Sequence, residues 1–325
     1  IFMRNSFATS TGVASGSNVL ATGAPSSSWK FNLHYGNYDG ENFDSDATGD
    51  PGYIRWDDSD SGIEITGRVY SSEGSGVSSV CDNSTPVVVL KVQGAGDFSA
   101  SCSSGDGSYT INDVLYNPGD TLTFFLNTGG GAKAATITVD AADDIAGMDL
   151  YEHRVIVRHE DSSPITIVDL THYDSDQDAD IPFDAEDAAT DTLIVQPENK
   201  LIVWTGKTFA PAGNVTLESG GSGNAWDGSL ELFATSTFSA AGTQSHSVGG
   251  SFVVGASSTF SGASATVTFT ATTTGKTITL NGSSLYNVVF NGSNGNWAFS
   301  GAASVSNDLT ITAGTLTLSA GTTTV

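Results

Sequence analysis

The feature that most constrains this chain is the pattern of its last third. From Gly228 to Val325, apolar residues alternate with Ser, Thr and Asn in short runs, and Gly or Asn closes most of them. Only Glu231, Lys276 and Asp308 carry a formal charge in that stretch. Period-2 alternation sends every second side chain to the same face of a strand, and Thr and Val suit a pleated surface. The tetrapeptide Ser236-Thr-Phe-Ser recurs 22 residues later as Ser258-Thr-Phe-Ser. A second phrase, two apolar positions before a Gly corner and more after it, occurs at Ile278–Tyr286 and again at Leu309–Leu318. Units of about 20–30 residues with Gly and Asn corners fit a β-solenoid with a thin core. An ordinary β-sandwich has similar strand and turn spacing and is the alternative. The pattern runs on to Val325, so a stack of this kind is expected to be covered by another subunit or by further repeats. The opening Ile1-Phe-Met-Arg reads as the start of a mature product or of an internal piece.

Helical periodicity is nearly absent elsewhere, and one short helical turn is expected around Ala141–Ala146. The fold class is all-β, in four parts. Residues 1–62 are an N-terminal β segment with acidic loops and a candidate assembly arm, with alternating strands at Trp29–Leu33 and Tyr53–Trp56. Residues 63–140 hold about seven short strands at roughly ten-residue spacing, the signature of a sandwich. Residues 141–190 are an acidic connector, and residues 191–325 are the solenoid-like repeats.

The order Ile63-x-Ile65-x-Gly67-x-Val69, then Asp106-Gly-Ser-Tyr109-x-Ile111, then Pro118-Gly-Asp-x-Leu122-x-Phe124 resembles the carboxypeptidase-regulatory-like, prealbumin-like or Cna-B type Ig-like modules of surface proteins. That resemblance implies a β-sandwich in which the Gly-Ser-Tyr element is a turn followed by a core tyrosine. Some Cna-B modules carry a Lys-to-Asn isopeptide bond, and Lys91 sits at a suitable strand position, although spacing assigns it no partner. Phrases such as Val155-Ile-Val-Arg-His-Glu-Asp161, Trp204-Thr-Gly-Lys-Thr-Phe209 and Leu285-Tyr-Asn-Val-Val-Phe290 look like those of very large bacterial extracellular repeat proteins. That likeness runs from about residue 63 to the end and implies architecture and a cell-surface location more than an activity.

Charge narrows the partners. The chain has 36 acidic and 11 basic side chains, a formal net charge of −25, and nearly all of it lies in the first 227 residues. Such a surface repels nucleic acid and anionic membranes, which need Lys and Arg to replace their counterions. No apolar run is long enough for a transmembrane helix, so no membrane insertion is expected. Cys81 and Cys102 are the only cysteines. An even pair in a Thr-rich β chain reads as one disulfide formed in an oxidising, extracellular compartment, with two free thiols as the alternative.

The strongest candidate site is an acidic ladder: Asp174, Asp176, Asp178 and Asp180, followed by Asp184 and Glu186. Alternating carboxylates in a loop can wrap Ca²⁺, which takes six to eight oxygens. The ladder departs from the EF-hand template, because Ala179 and Ala185 stand where Gly and a bidentate Glu belong. A solvated acidic linker is the plain alternative. Asp44, Asp46, Asp50, Asp57, Asp58 and Asp60 form a second candidate. His153, His159 and His172 lack the spacing of a zinc site, and no nucleophile elbow, phosphate loop or dinucleotide fingerprint occurs. Trp204, Trp226, Trp297 and Tyr286 are candidates for stacking on sugars. No enzyme activity is therefore expected. The leading expectation is a structural subunit of an extracellular filament or surface assembly, joined to copies of itself through residues 1–24 or the terminal coil. A glycan-binding adhesin is the alternative, and a polysaccharide-degrading enzyme the more distant one.

Overall fold

The computed structural model describes residues 62–139, 143–160, 162–187, 190–318 and 323–324. All of them belong to one compact unit, Gly62–Val325. The candidate assembly arm, the strands expected at Trp29–Leu33 and Tyr53–Trp56, and the carboxylates between Asp44 and Asp60 lie outside the described residues.

The described chain is all-β apart from one turn of helix and ends in a parallel β-solenoid of about eight turns. It opens with nine strands: β1 Ile63–Ser72, β2 Ser75–Val77, β3 Val88–Val92, β4 Ala95–Ala100, β5 Ser108–Val114, β6 Thr121–Leu126, β7 Ala135–Val139, β8 Leu150–Tyr151 and β9 Arg154–Val157. β1 pairs antiparallel with β2 and β5 and parallel with β8, which makes one sheet. The second sheet runs β4-β3-β6-β7-β9. Ile65, Val69 and Ile111 of the first sheet share a core with Val88, Leu90, Leu122, Phe124 and Leu126 of the second. Cys81 and Cys102 are bonded at the edge of this core, 4.8 Å apart at Cα. Closing that loop stabilises the fold by about 3 kcal/mol in the chain-entropy model.

The Gly-Ser-Tyr element is a turn followed by a core tyrosine. Tyr109 is buried and its hydroxyl donates to the carbonyl of Met148. Gly107 holds φ at +76°, and a Cβ there would lie 2.5 Å from the Val69 carbonyl oxygen, so only glycine fits the turn.

The second sheet is apolar on both sides. Alternate residues of the same strands, Val89, Phe125, Ala135, Ile137, Val139, Val155 and Val157, belong to a different core, the one that runs through the solenoid. β9 pairs parallel with β7 on one side and with the solenoid strand Lys200–Val203 on the other. The sheet of the N-terminal module therefore continues into the first face of the solenoid, and its reverse side closes the solenoid's first coil. The apolar core crosses both expected boundaries, 140/141 and 190/191. Within the acidic segment, helix α1, Ile167–Leu170, starts at Thr166 with a capping box to Asp169 and buries Ile167 and Leu170 in the same core. The helical turn expected at Ala141–Ala146 is not formed by its described residues; Ile145 instead bridges to Ile65.

Each solenoid coil has three short faces. The first face stacks Lys200–Val203, Leu230–Leu232, Phe252–Val254 and Lys276–Thr279. The second stacks Thr208–Phe209, Thr237–Ser239 and Thr259–Ser261. The third stacks Thr192–Val195, Asn214–Leu217, Ser245–Val248, Thr266–Phe269 and residues 287–290. The repeated Ser-Thr-Phe-Ser lies on the second face, in register, so its 22-residue spacing is one coil. The phrase at Ile278 starts on the first face, whereas the one at Leu309 starts on the third. It marks a corner rather than a coil, which is why its spacing drifts.

Stacking identical positions builds ladders in the core. Phe209, Phe238 and Phe260 follow one another with ring centroids 5.4 and 5.0 Å apart. Each such fully buried side chain contributes about 1.5–3 kcal/mol of hydrophobic stabilisation. One core ladder on the third face is interrupted by a polar residue, His246, which pairs with Val267 in register. Its ring packs edge-on against Phe238, and its Nδ1 accepts a long bond from the Val215 N–H. Burial pushes its pKa down to about 4, so the folded protein holds it neutral. The unfolded chain binds a proton there that the folded one refuses, so stability falls as pH drops from about 6.5 towards 4. His246→Leu is expected to raise the melting temperature at pH 5 and to flatten its fall between pH 6.5 and 4, read by calorimetry against the unsubstituted chain.

Candidate functional site

The acidic ladder is divided among different tasks. Asp180 is buried, and its carboxylate accepts three backbone N–H groups from the loop after β6: Thr128 at 2.9 Å, Gly129 at 2.7 Å and Gly130 at 2.7 Å. Successive N–H groups aimed at one carboxylate form an anion nest, which ties the acidic segment to the module's second sheet. Asp178 accepts the Asp180 N–H at 3.0 Å and shapes the turn. Glu186 is exposed at the end of the strand Phe183–Glu186. Neither Asp178, Asp180 nor Glu186 joins the remaining three carboxylates.

Asp174, Asp176 and Asp184 do converge, each offering one oxygen within 4.8 Å of the others. Asp174 is buried and accepts the N–H groups of Asp176 and Ala185 at 2.9 and 3.1 Å. Burial pushes its carboxyl above the usual range, and the nearby charges of Asp184 and Asp176 push the same way against those two bonds. Oδ1 of Asp184 is enclosed and has no hydrogen-bond donor. The donor set is hard oxygen throughout, which fits Ca²⁺ or Mg²⁺ and not zinc. A cation there would relieve the mutual repulsion and satisfy the orphaned oxygen.

A second cluster sits where the module meets the solenoid. Glu73, in the turn between β1 and β2, makes a two-pronged ion pair with Arg154 and accepts from Lys200 at 3.1 Å. Lys200 also reaches Glu231 at 2.8 Å. Burial opposes the charge on Glu73, but the Arg154 hydrogen bond and the charges of Lys200 and Arg154 win and hold its pKa at about 2. Beside this network runs a row of half-buried rings: Tyr70 on Tyr151 at 5.0 Å, Tyr151 on Trp204 at 6.1 Å, and Trp204 on Phe233 at 5.3 Å. These contacts fix the module's first sheet against the solenoid. Both carboxylates on Lys200 are ion-paired with it.

The sugar-stacking candidates separate on burial. Trp297 is fully buried among Phe269 and Phe290, so it cannot meet a ligand. Trp226 is held by His153, stacked at 5.0 Å, and by the Arg154 guanidinium, also at 5.0 Å. Trp204 belongs to the ring row. Tyr286 lines a groove on the solenoid. Lys91 pairs with Asp97, whose side chain is open to water, and lies 5.0 Å from the Tyr173 ring. It is an ion-paired lysine near the sheet edge. The histidines are spoken for as well: Nδ1 of His153 meets the Glu198 carbonyl, and Nε2 of His159 accepts the Thr208 N–H.

Asp227 was missed in the sequence. It is fully buried and holds the loop that makes one coil longer than its neighbours. Burial raises its pKa, but bonds from the Gly220 and Glu198 N–H groups and the Ser219 hydroxyl outweigh that and keep it charged.

Compared with protein-family models, with curated proteins and with solved structures, the chain matches none. Among the described residues no helix is long and apolar enough to cross a membrane.

Proposed function

We propose that this chain is a rigid structural segment of an extracellular filament or cell-surface assembly, of the kind built from Ig-like modules and β repeats. The observation that carries the reading is the pair of exposed apolar side chains on and beside the strand Ala303–Thr317. That strand pairs in parallel with Leu285–Phe299 and, at Ala303 and Ser304, with Thr323–Thr324; Ala303 and Val305 are buried, whereas Ile311 is 49% exposed and Leu318, just beyond the strand, 56%. Exposed β coils template the addition of another strand. The occupant we assign is a second copy of this chain, contributing residues 1–24, where Phe2, Phe7, Val13, Val19 and Leu20 are spaced among Ser, Thr and Gly. The nearly uncharged repeats raise little repulsion against such stacking. The disulfide and the strongly acidic remainder suit an oxidising exterior.

Electron microscopy and sedimentation of the chain test this. Polymers are expected, and both Ile311→Lys with Leu318→Lys and deletion of residues 1–24 should reduce them to monomers. A chain that stays monomeric at high concentration, or polymers that survive both changes, would overturn the reading.

Ca²⁺ at Asp174, Asp176 and Asp184 is the proposed stabiliser of the junction. Ligand binding to the folded state alone raises stability by about 2.7 kcal/mol at a hundred times Kd. The melting temperature should rise with Ca²⁺, fall with a chelator, and lose that dependence in Asp184→Asn. An identical melt with and without chelator contradicts it.

A further inference from the structure

A groove on the solenoid has a chemistry that points to a ligand. It has a volume of about 560 Å³ and follows the second face where the parallel ladder is interrupted. Thr259–Ser261 pairs fully with the coil before it. Toward the coil after it, only Ser261 and Ser284 bridge. The N–H of Phe260 turns instead to the hydroxyl of Ser283, at 3.0 Å. Asn281, at a positive φ of 44°, anchors the next corner by donating to the Val254 carbonyl at 2.7 Å. The second face therefore splays open for one step, and its floor and walls stay ordered.

The lining is uniform in kind. The exposed side chains of Ser257, Thr259, Ser261, Ser284 and Asn281 offer hydroxyl and amide groups, and Tyr286 supplies a half-buried ring at one side. No charged side chain lines the groove. A phosphate or uronate ligand would find no cation to pair with there. A peptide strand needs a free ladder edge and alternating apolar pockets, and the hydroxyl-rich wall provides neither pocket. Groups that both donate and accept, beside one aromatic face, match a molecule with the same mixture: hydroxyls around an apolar ring face. The volume lies in the ordinary range for small-ligand sites, about 300–1,000 Å³.

We infer that this groove binds a short neutral glycan, with Tyr286 stacking on a sugar ring and the Ser, Thr and Asn side chains bonding its hydroxyls. The inference stands apart from assembly, since every lining residue comes from one chain.

Binding to arrayed neutral oligosaccharides, glucan, mannan and galactan, tests it beside oligogalacturonate, with titration calorimetry on the best neutral binder. The Ile311→Lys, Leu318→Lys chain serves as background, so polymerisation cannot disturb the readout. At least one neutral oligosaccharide should bind, with little dependence on salt, and oligogalacturonate should not. Tyr286→Ala and the groove-filling Thr259→Trp should each weaken binding by about tenfold or more, with unchanged circular dichroism. The inference is overturned if no neutral oligosaccharide binds, or if binding is unchanged in both variants. Preference for the uronate would equally overturn it.

Discussion

The rest of the described structure depends on one parallel pairing, β9 between β7 and the solenoid strand Lys200–Val203. It makes the module's second sheet and the solenoid's first face a single sheet. A sheet with apolar residues on both sides must be covered twice, and here the two covers are the β1-β2-β5-β8 sheet and the first solenoid coil. A solenoid coil cannot bury its apolar face without a neighbour. The module supplies that neighbour at the N-terminal side, with α1 and the acidic segment closing the remaining gap. Asp180 in its nest of Thr128, Gly129 and Gly130 N–H groups pins the closure.

Much of this architecture was readable from residues. Thr121–Leu126 follows a Pro-Gly turn and Ala135–Val139 alternates after a Gly-rich one, and both form strands with those bounds. The 22-residue repeat is one coil because Phe238 and Phe260 must fall on the same inward spot. What could not be read was the shared sheet. The unbroken run Val87-Val-Val-Leu90 signals burial on both faces, but such a run does not say which two layers supply the cover. Parallel pairing between β7 and β9 follows from the path of the chain, which local pattern does not encode. The helix at Ile167–Leu170 had a signal, Thr166 three residues before Asp169, that a four-residue span makes easy to pass over.

The site was legible only in part, for the same reason. The spacing of the acidic ladder treats every second carboxylate as equivalent, whereas the fold sends Asp180 to a nest and Asp178 to a turn. Asp174, Asp176 and Asp184 meet because the strand Phe183–Glu186 folds back on the loop before it. Glu73 and Glu231 are far apart in sequence and meet on Lys200. Trp297 reads as a free aromatic beside Asn and Gly, but its register against Lys276 and Leu316 turns it inward. The charge pattern also finds a structural meaning. Among the described residues, Glu73, Asp180 and Asp227 hold modules and loops together, and the coils, whose faces must stack, carry few acids.

The central claim is that the module and the solenoid are one cooperative structure built on a common sheet. Hydrogen exchange followed through a denaturant series measures this most directly, because it reports opening free energies segment by segment. The account predicts that β6, β7, β9 and Lys200–Val203 share the highest protection and lose it in a single transition. Loss of protection from β3, β6 and β7 in an earlier, separate transition, with Lys200–Val203 still protected, would contradict it.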